Sequence, residues 1–170
     1  MTKRTFIRTG ALTAIAGGAL RAAASFAPVI IRSDRGRESL YVTIDVALAV
    51  GLLAFFSQRG KRLGPWGVAG LAFALVGITT VRANRLITTA DLYPLGALMI
   101  ACGVVMLSFS AWRVTRLRGW VPVTFVCSTL TGILGTVIPG ANTLFVWSGV
   151  MFGIAFAGLG EDMWRSSSVS

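Results

Sequence analysis

Six apolar stretches, residues 10–31, 40–57, 65–81, 92–112, 120–138 and 142–160, divide this 170-residue chain, and almost every charge falls between them. Each runs for about 17–22 residues, the length an α-helix needs to cross roughly 30 Å of hydrocarbon. Of 16 basic and 6 acidic side chains, only Arg21 and Asp45 lie inside a stretch. A backbone in lipid finds no water, so each stretch must satisfy its own hydrogen bonds as a helix; the period-2 alternation of a membrane barrel is absent. The expected fold is an all-α membrane protein, a bundle of six transmembrane helices. With 55% hydrophobic residues and mean hydropathy +0.76, little is left for a soluble domain. One domain is expected over residues 1–165, with 166–170 as a disordered tail.

The placement of the charges sets the topology. Lys3, Arg4, Arg8, Arg59, Lys61, Arg62, Arg113, Arg116, Arg118 and Arg165 fall on one side of the predicted bundle. Arg32, Arg35, Arg37, Arg82 and Arg85 fall on the other, partly offset by Asp34, Glu38 and Asp91. The positive-inside rule then places both termini in the cytoplasm. Trp66, Trp112, Trp120 and Trp164 map to the inner boundary and Tyr41 and Tyr93 to the outer one, where amphipathic rings settle. Net charge +10 in this arrangement points to anionic lipid at the cytoplasmic face, not to nucleic acid. A bacterial inner membrane is the expected location.

Leu40-Tyr41, Leu92-Tyr93 and Leu144-Phe145 recur at a spacing of 52 residues, as do Gly51 and Gly103. That spacing predicts three repeated hairpins. Small residues spaced by four mark expected helix contacts: Gly149, Gly153 and Ala157 on the last stretch, Gly70 and Ala74 on the third, Ala19 and Ala23 on the first. Cys102 and Cys127 lie inside helices and outside any CxxC, so they read as packing residues.

The N-terminus also resembles a twin-arginine export signal, with Lys3-Arg4 ahead of an apolar run and small-residue patterns at Ala22-Ala23-Ala24 and Ser25-Phe26-Ala27. Cleavage would leave five helices and a start near Ser25 or Pro28. The competing reading, a first transmembrane helix with ordinary basic flanks, is the one adopted here.

A charge at bilayer centre costs about 2.5–3.5 kcal/mol on insertion scales, so Arg21 and Asp45 are the strongest chemical lead. Helical rise puts Arg21 about 15 Å, and Asp45 about 7–8 Å, below the outer surface. Pairing of the two across the first hairpin is expected, as a clamp. A headgroup site at Arg21, or no pairing with Arg21 snorkelling, are the alternatives. With no histidine in the chain, Ser-His, Cys-His and His-metal chemistry are excluded, and neither a catalytic residue, a metal site nor a cofactor is expected. Ser148-Gly149 lacks a base, and no two carboxylates share a helix core. Thr124, Ser128 and Thr131 share one face of the fifth stretch, either bonding their own helix carbonyls or a neighbouring helix, or lining a polar path.

Leu40-Tyr41-x-x-x-Asp45 with Gly51-Leu52-Leu53, and Leu92-Tyr93-Pro94-Leu95-Gly96, resemble a group of small uncharacterised multi-pass bacterial membrane proteins. That resemblance implies no activity. Six helices in this length, with Ala19-x-x-x-Ala23 on the first, are also similar in architecture to the substrate-binding components of energy-coupling-factor vitamin transporters, although Arg21 would burden that docking face. The leading expectation is a non-enzymatic accessory or structural subunit, packing against itself or a partner membrane subunit through a small-residue face. The alternative is a small-molecule carrier or transporter component with a site near Arg21, Asp45, Tyr41 and Tyr93. An exposed Gly149/Gly153/Ala157 face would favour the first, and a polar cavity at the four residues the second.

Overall fold

The structure, a computed structural model, describes residues 2–27, 31–84, 91–115 and 117–168, and every regular element among them is helical. The elements are α1 (Lys3–Ala24), α2 (Asp34–Ala83), α3 (Tyr93–Thr115), α4 (Trp120–Val137) and α5 (Asn142–Ser168). Helices α2 to α5 are long and apolar enough to cross a membrane, so the chain is a membrane-spanning helical protein. Arg8 and Arg21 interrupt the apolar run of α1, which keeps its hydropathy below that of the other four. Pro28, Arg85 and Arg116 lie outside the described residues.

Two of the six expected helices share one element, so the elements number five. Residues 40–57 and 65–81 belong to one 50-residue element, because residues 58–63 stay helical up to Gly64. A straight helix of that length would measure about 75 Å, more than twice the hydrocarbon thickness. It bends instead. Gly64 takes φ 63° and ψ −172°, a backbone conformation open to glycine alone, and Pro65 restarts the helix where its missing N–H is harmless. The arms on either side, 34–63 and 65–83, fold back on each other, as an ion pair between Asp45 and Arg82 requires.

The 52-residue repeat has no support in the helix boundaries. Asp34 and Tyr93, which begin α2 and α3, are 59 positions apart, and Tyr93 and Asn142 are 49 apart. Side-chain caps mark the starts of α1 and α2. Thr2 accepts from the Thr5 N–H (3.4 Å), and Ser33 from the Gly36 N–H (3.4 Å). At the other end α5 runs to Ser168, so the first three tail residues are helical, and the Ser166 hydroxyl donates to the Asp162 carbonyl (2.8 Å).

Antiparallel pairs build the bundle. Helix α1 packs on both the 34–63 arm and α5, the 65–83 arm packs on α3, and α4 packs on α5. Backbone contact is closest where glycines meet. A Cβ on Gly18 would fall 2.5 Å from the Gly153 carbonyl oxygen, and one on Gly70 would fall 2.7 Å from that of Gly103. Lipid supplies no hydrophobic drive between helices, so such van der Waals contact is what holds them. The core is filled by Phe55, Phe125, Phe156, Leu107 and Met163, all fully buried. Phe152 meets Phe125 edge-on at 5.4 Å and stacks on Phe156 at 6.2 Å.

The small-residue expectations divide. Gly149 and Gly153 are buried and Ala157 half-buried, all facing α1. Gly70 and Ala74 are covered by Gly103 of α3. Ala19 and Ala23 are exposed instead: the contact face of α1 runs one position earlier, through Gly18 and Ala22. Cys102 and Cys127 are likewise exposed, so they face outward and do not pack the interior.

Candidate functional site

Polar side chains collect at the two ends of the 34–63 arm. Asp45 and Arg59 lie 14 residues apart on it, about 21 Å along the axis.

At the first end Asp45 pairs with Arg82, whose Nε donates to Oδ2 at 2.5 Å while a terminal guanidinium nitrogen bonds the same oxygen. The side chains are 17% and 29% exposed. The expected Arg21–Asp45 pair is therefore replaced by one between the two arms of α2. The hairpin at Gly64 brings residue 82 level with residue 45, and a straight reading of the loops placed Arg82 outside the bundle. Arg21 remains near enough to act on Asp45 electrostatically. Its guanidinium reaches across α5, with one nitrogen 3.1 Å from where a Cβ on Gly149 would stand. The Tyr41 hydroxyl donates to the Ala24 carbonyl at 3.5 Å, joining α2 to α1. Tyr93 is exposed, and its N–H is held by Asp91 Oδ1 at 3.0 Å. Asn84 donates to that oxygen (3.1 Å) and accepts from the Leu92 N–H (2.5 Å), so one polar clasp holds both ends of the 85–90 connection. Three of the four candidate residues thus sit together, and Tyr93 stands apart on the surface.

At the second end is a cluster that sequence reasoning assigned to the exposed cytoplasmic flank. Arg59 is only 8% exposed. It donates to Thr115 Oγ1 (2.8 Å), to Ser166 Oγ (2.9 Å) and to the Asp162 carboxylate, with its guanidinium carbon 5.3 Å from the Phe55 ring centroid. The end of the 34–63 arm and the ends of α3 and α5 are joined by this one side chain. Beside it Gln58 donates to the Met163 carbonyl at 3.5 Å, while its Oε1 is buried with no donor. A signal for this burial existed: Leu48, Leu52, Phe55, Arg59 and Leu63 form one helical stripe, and Arg59 continues it.

The other basic residues at this end stay near the surface. Arg8 lies 5.7 Å over the Trp164 ring, and Glu161 accepts from Arg165 (2.5 Å) and Arg118 (3.4 Å). Arg8, Arg59, Arg118 and Arg165 gather at one end of the bundle, as the charge pattern predicts. Trp66, Trp112, Trp120 and Trp164 are exposed there as well.

The hydroxyls of α4 serve its own backbone or its neighbour. Thr124 donates to the Trp120 carbonyl (2.8 Å) and Thr131 to that of Cys127 (2.7 Å). Ser128 and Ser148 exchange hydrogen bonds, each hydroxyl donating to the other residue's carbonyl at 2.8 and 2.9 Å. Among the described residues, no group of three His, Cys, Asp or Glu side chains is placed to hold a metal ion.

No family model, no curated protein and no solved structure matches this chain.

Proposed function

We propose that this chain is a non-enzymatic accessory or structural component of a bacterial inner membrane, crossing it six times with both termini in the cytoplasm. The 34–63 and 65–83 arms would each make one crossing, joined at Gly64 on the cytoplasmic side, and α1 would contribute a crossing of low hydropathy. One observation carries the functional reading: two of the polar groups that a carrier would offer to a ligand, Asp45 and Tyr41, are engaged in joining helices, as is the buried Arg59. Asp45 is held by Arg82, Tyr41 by the Ala24 carbonyl, and Arg59 by three acceptors. Charges spent this way fix helix positions and leave a substrate little to bind.

The contact with any other subunit lies elsewhere than the Gly149/Gly153/Ala157 face, which α1 covers. Native mass spectrometry of the protein extracted from its own membrane tests the reading. A stoichiometric protein assembly without small-molecule ligand is expected. A lone chain carrying a small molecule that Arg21→Gln releases would overturn it in favour of the carrier.

A further inference from the structure

Arg21 leaves α1 between two helix contacts. Gly17, one turn before it, faces Ala47 of the 34–63 arm, and Gly18 faces Gly153 of α5. The side chain therefore enters the bundle where α1, α2 and α5 meet, and it is half-buried there. One guanidinium nitrogen lies 3.1 Å from where a Cβ on Gly149 would stand, in space that a larger residue would take. Asp45 is near enough to feel its charge.

The acceptors in this place already serve other donors. Both Arg82 nitrogens bind Oδ2 of Asp45. A basic residue in the last turn of a helix often bonds the terminal carbonyls, but those of α1 are taken. Ser25 Oγ donates to the Arg21 carbonyl (3.4 Å) and the Tyr41 hydroxyl to that of Ala24 (3.5 Å). The N–H groups of Ser25 and Phe26 donate to the carbonyls of Ala22 (3.2 Å) and Ala23 (3.0 Å). Glu38, seven positions before Asp45 on the same face of α2, is engaged with another group. Among the described residues, the Arg21 guanidinium has no hydrogen-bond or ion-pair partner. Two guanidiniums, Arg21 and Arg82, thus share one carboxylate, and a surplus positive charge stands between membrane-spanning helices. Charges in such positions are costly and are nearly always paired.

We propose that Arg21 holds one phosphate group as a fixed counter-ion at the junction of α1, α2 and α5. A guanidinium presents its N–H donors in a planar fork that matches two phosphate oxygens, and the anion offsets the surplus charge. A free phosphate ion and the phosphodiester of a lipid offer the same oxygens. Such a counter-ion suits an accessory subunit and a carrier alike, so the inference does not rest on the function proposed above.

Denaturant titrations of the full chain in detergent, with sodium gluconate replaced stepwise by sodium phosphate at constant ionic strength, test it. Stability should rise with phosphate, half-saturating at about 1 mM for one such contact. At about 10 mM the folded-to-unfolded ratio should be raised about tenfold. Arg21→Gln should abolish the response without lowering the stability measured in gluconate, and Arg21→Lys should keep part of it. Loss of the phosphate response when dioleoyl phosphatidylglycerol is added to the micelles would assign the site to a lipid phosphodiester. A response that persists with that lipid present would assign it to the free ion. A parent protein whose stability ignores both phosphate and phosphatidylglycerol overturns the proposal without recourse to any variant. An undiminished response in a folded Arg21→Gln protein overturns it as well.

Discussion

Asp45 and Arg82 stand 37 positions apart in the chain and share an ion pair, each about the same distance from Gly64. That pair ties the far ends of the two α2 arms together, as Gly64 ties the near ends. Breaking it leaves a charge in a partly desolvated place. Asp45→Asn and Arg82→Gln should each destabilise the protein by about 1–3 kcal/mol, less than a fully buried pair because both side chains keep some exposure. The exchanged variant, Asp45→Arg with Arg82→Asp, should recover most of that loss in denaturant titrations in detergent. Arg21→Gln should weaken the fold less than either. If Arg21→Asp with Asp45→Arg rescues instead, the assignment of partners is wrong.

Gly64 is the position with least freedom to change. Its φ of 63° with ψ near 180° leaves no room for a Cβ, although nothing else stands within 4 Å of one. Gly64→Ala should therefore cost about 1–3 kcal/mol from backbone strain alone. A thermal melt in detergent measures it, and a melting temperature unchanged from the parent would show that the bend is not required.

Arg59 binds three helices by one side chain. Arg59→Gln leaves Asp162 without its cation in a site of little exposure, so a loss of about 2–4 kcal/mol is expected. In a double-mutant cycle with Asp162→Asn the losses should fall well short of additive. Additive losses would mean that the two residues act separately.

The α1–α5 contact discriminates between neighbouring positions. Gly18→Leu places atoms into the backbone of α5 and should abolish the folded monomer or cost more than about 2 kcal/mol. Ala19→Leu, one residue on, should stay within about 0.5 kcal/mol, because its side chain is exposed. Equal effects would place the wrong face of α1 against the bundle.

The Ser128–Ser148 exchange joins α4 to α5. Ser128→Ala should cost about 0.6 kcal/mol, the usual worth of a hydrogen bond between helices in a membrane. A loss several times larger would mean that Ser128 supports more than this one contact.

Hydropathy and charge placement made the helical, membrane-spanning class legible, because the cost of an unsatisfied backbone or an unpaired charge in hydrocarbon acts on each segment alone. The gathering of arginines and tryptophans at one end was legible for the same reason. The choice of partners was not. Arg82 was read as a loop residue and Arg59 as a flank, yet both are set by where other helices arrive: Arg82 by the bend at Gly64, Arg59 by the ends of α3 and α5. Which small residues meet was equally out of reach, since Gly18 and Ala19 differ by one position and by 100° around a helix. Segment-by-segment solvation by lipid was decided in the sequence. Pairing between segments was decided only in the tertiary structure, because van der Waals fit and ion-pair geometry depend on two surfaces at once.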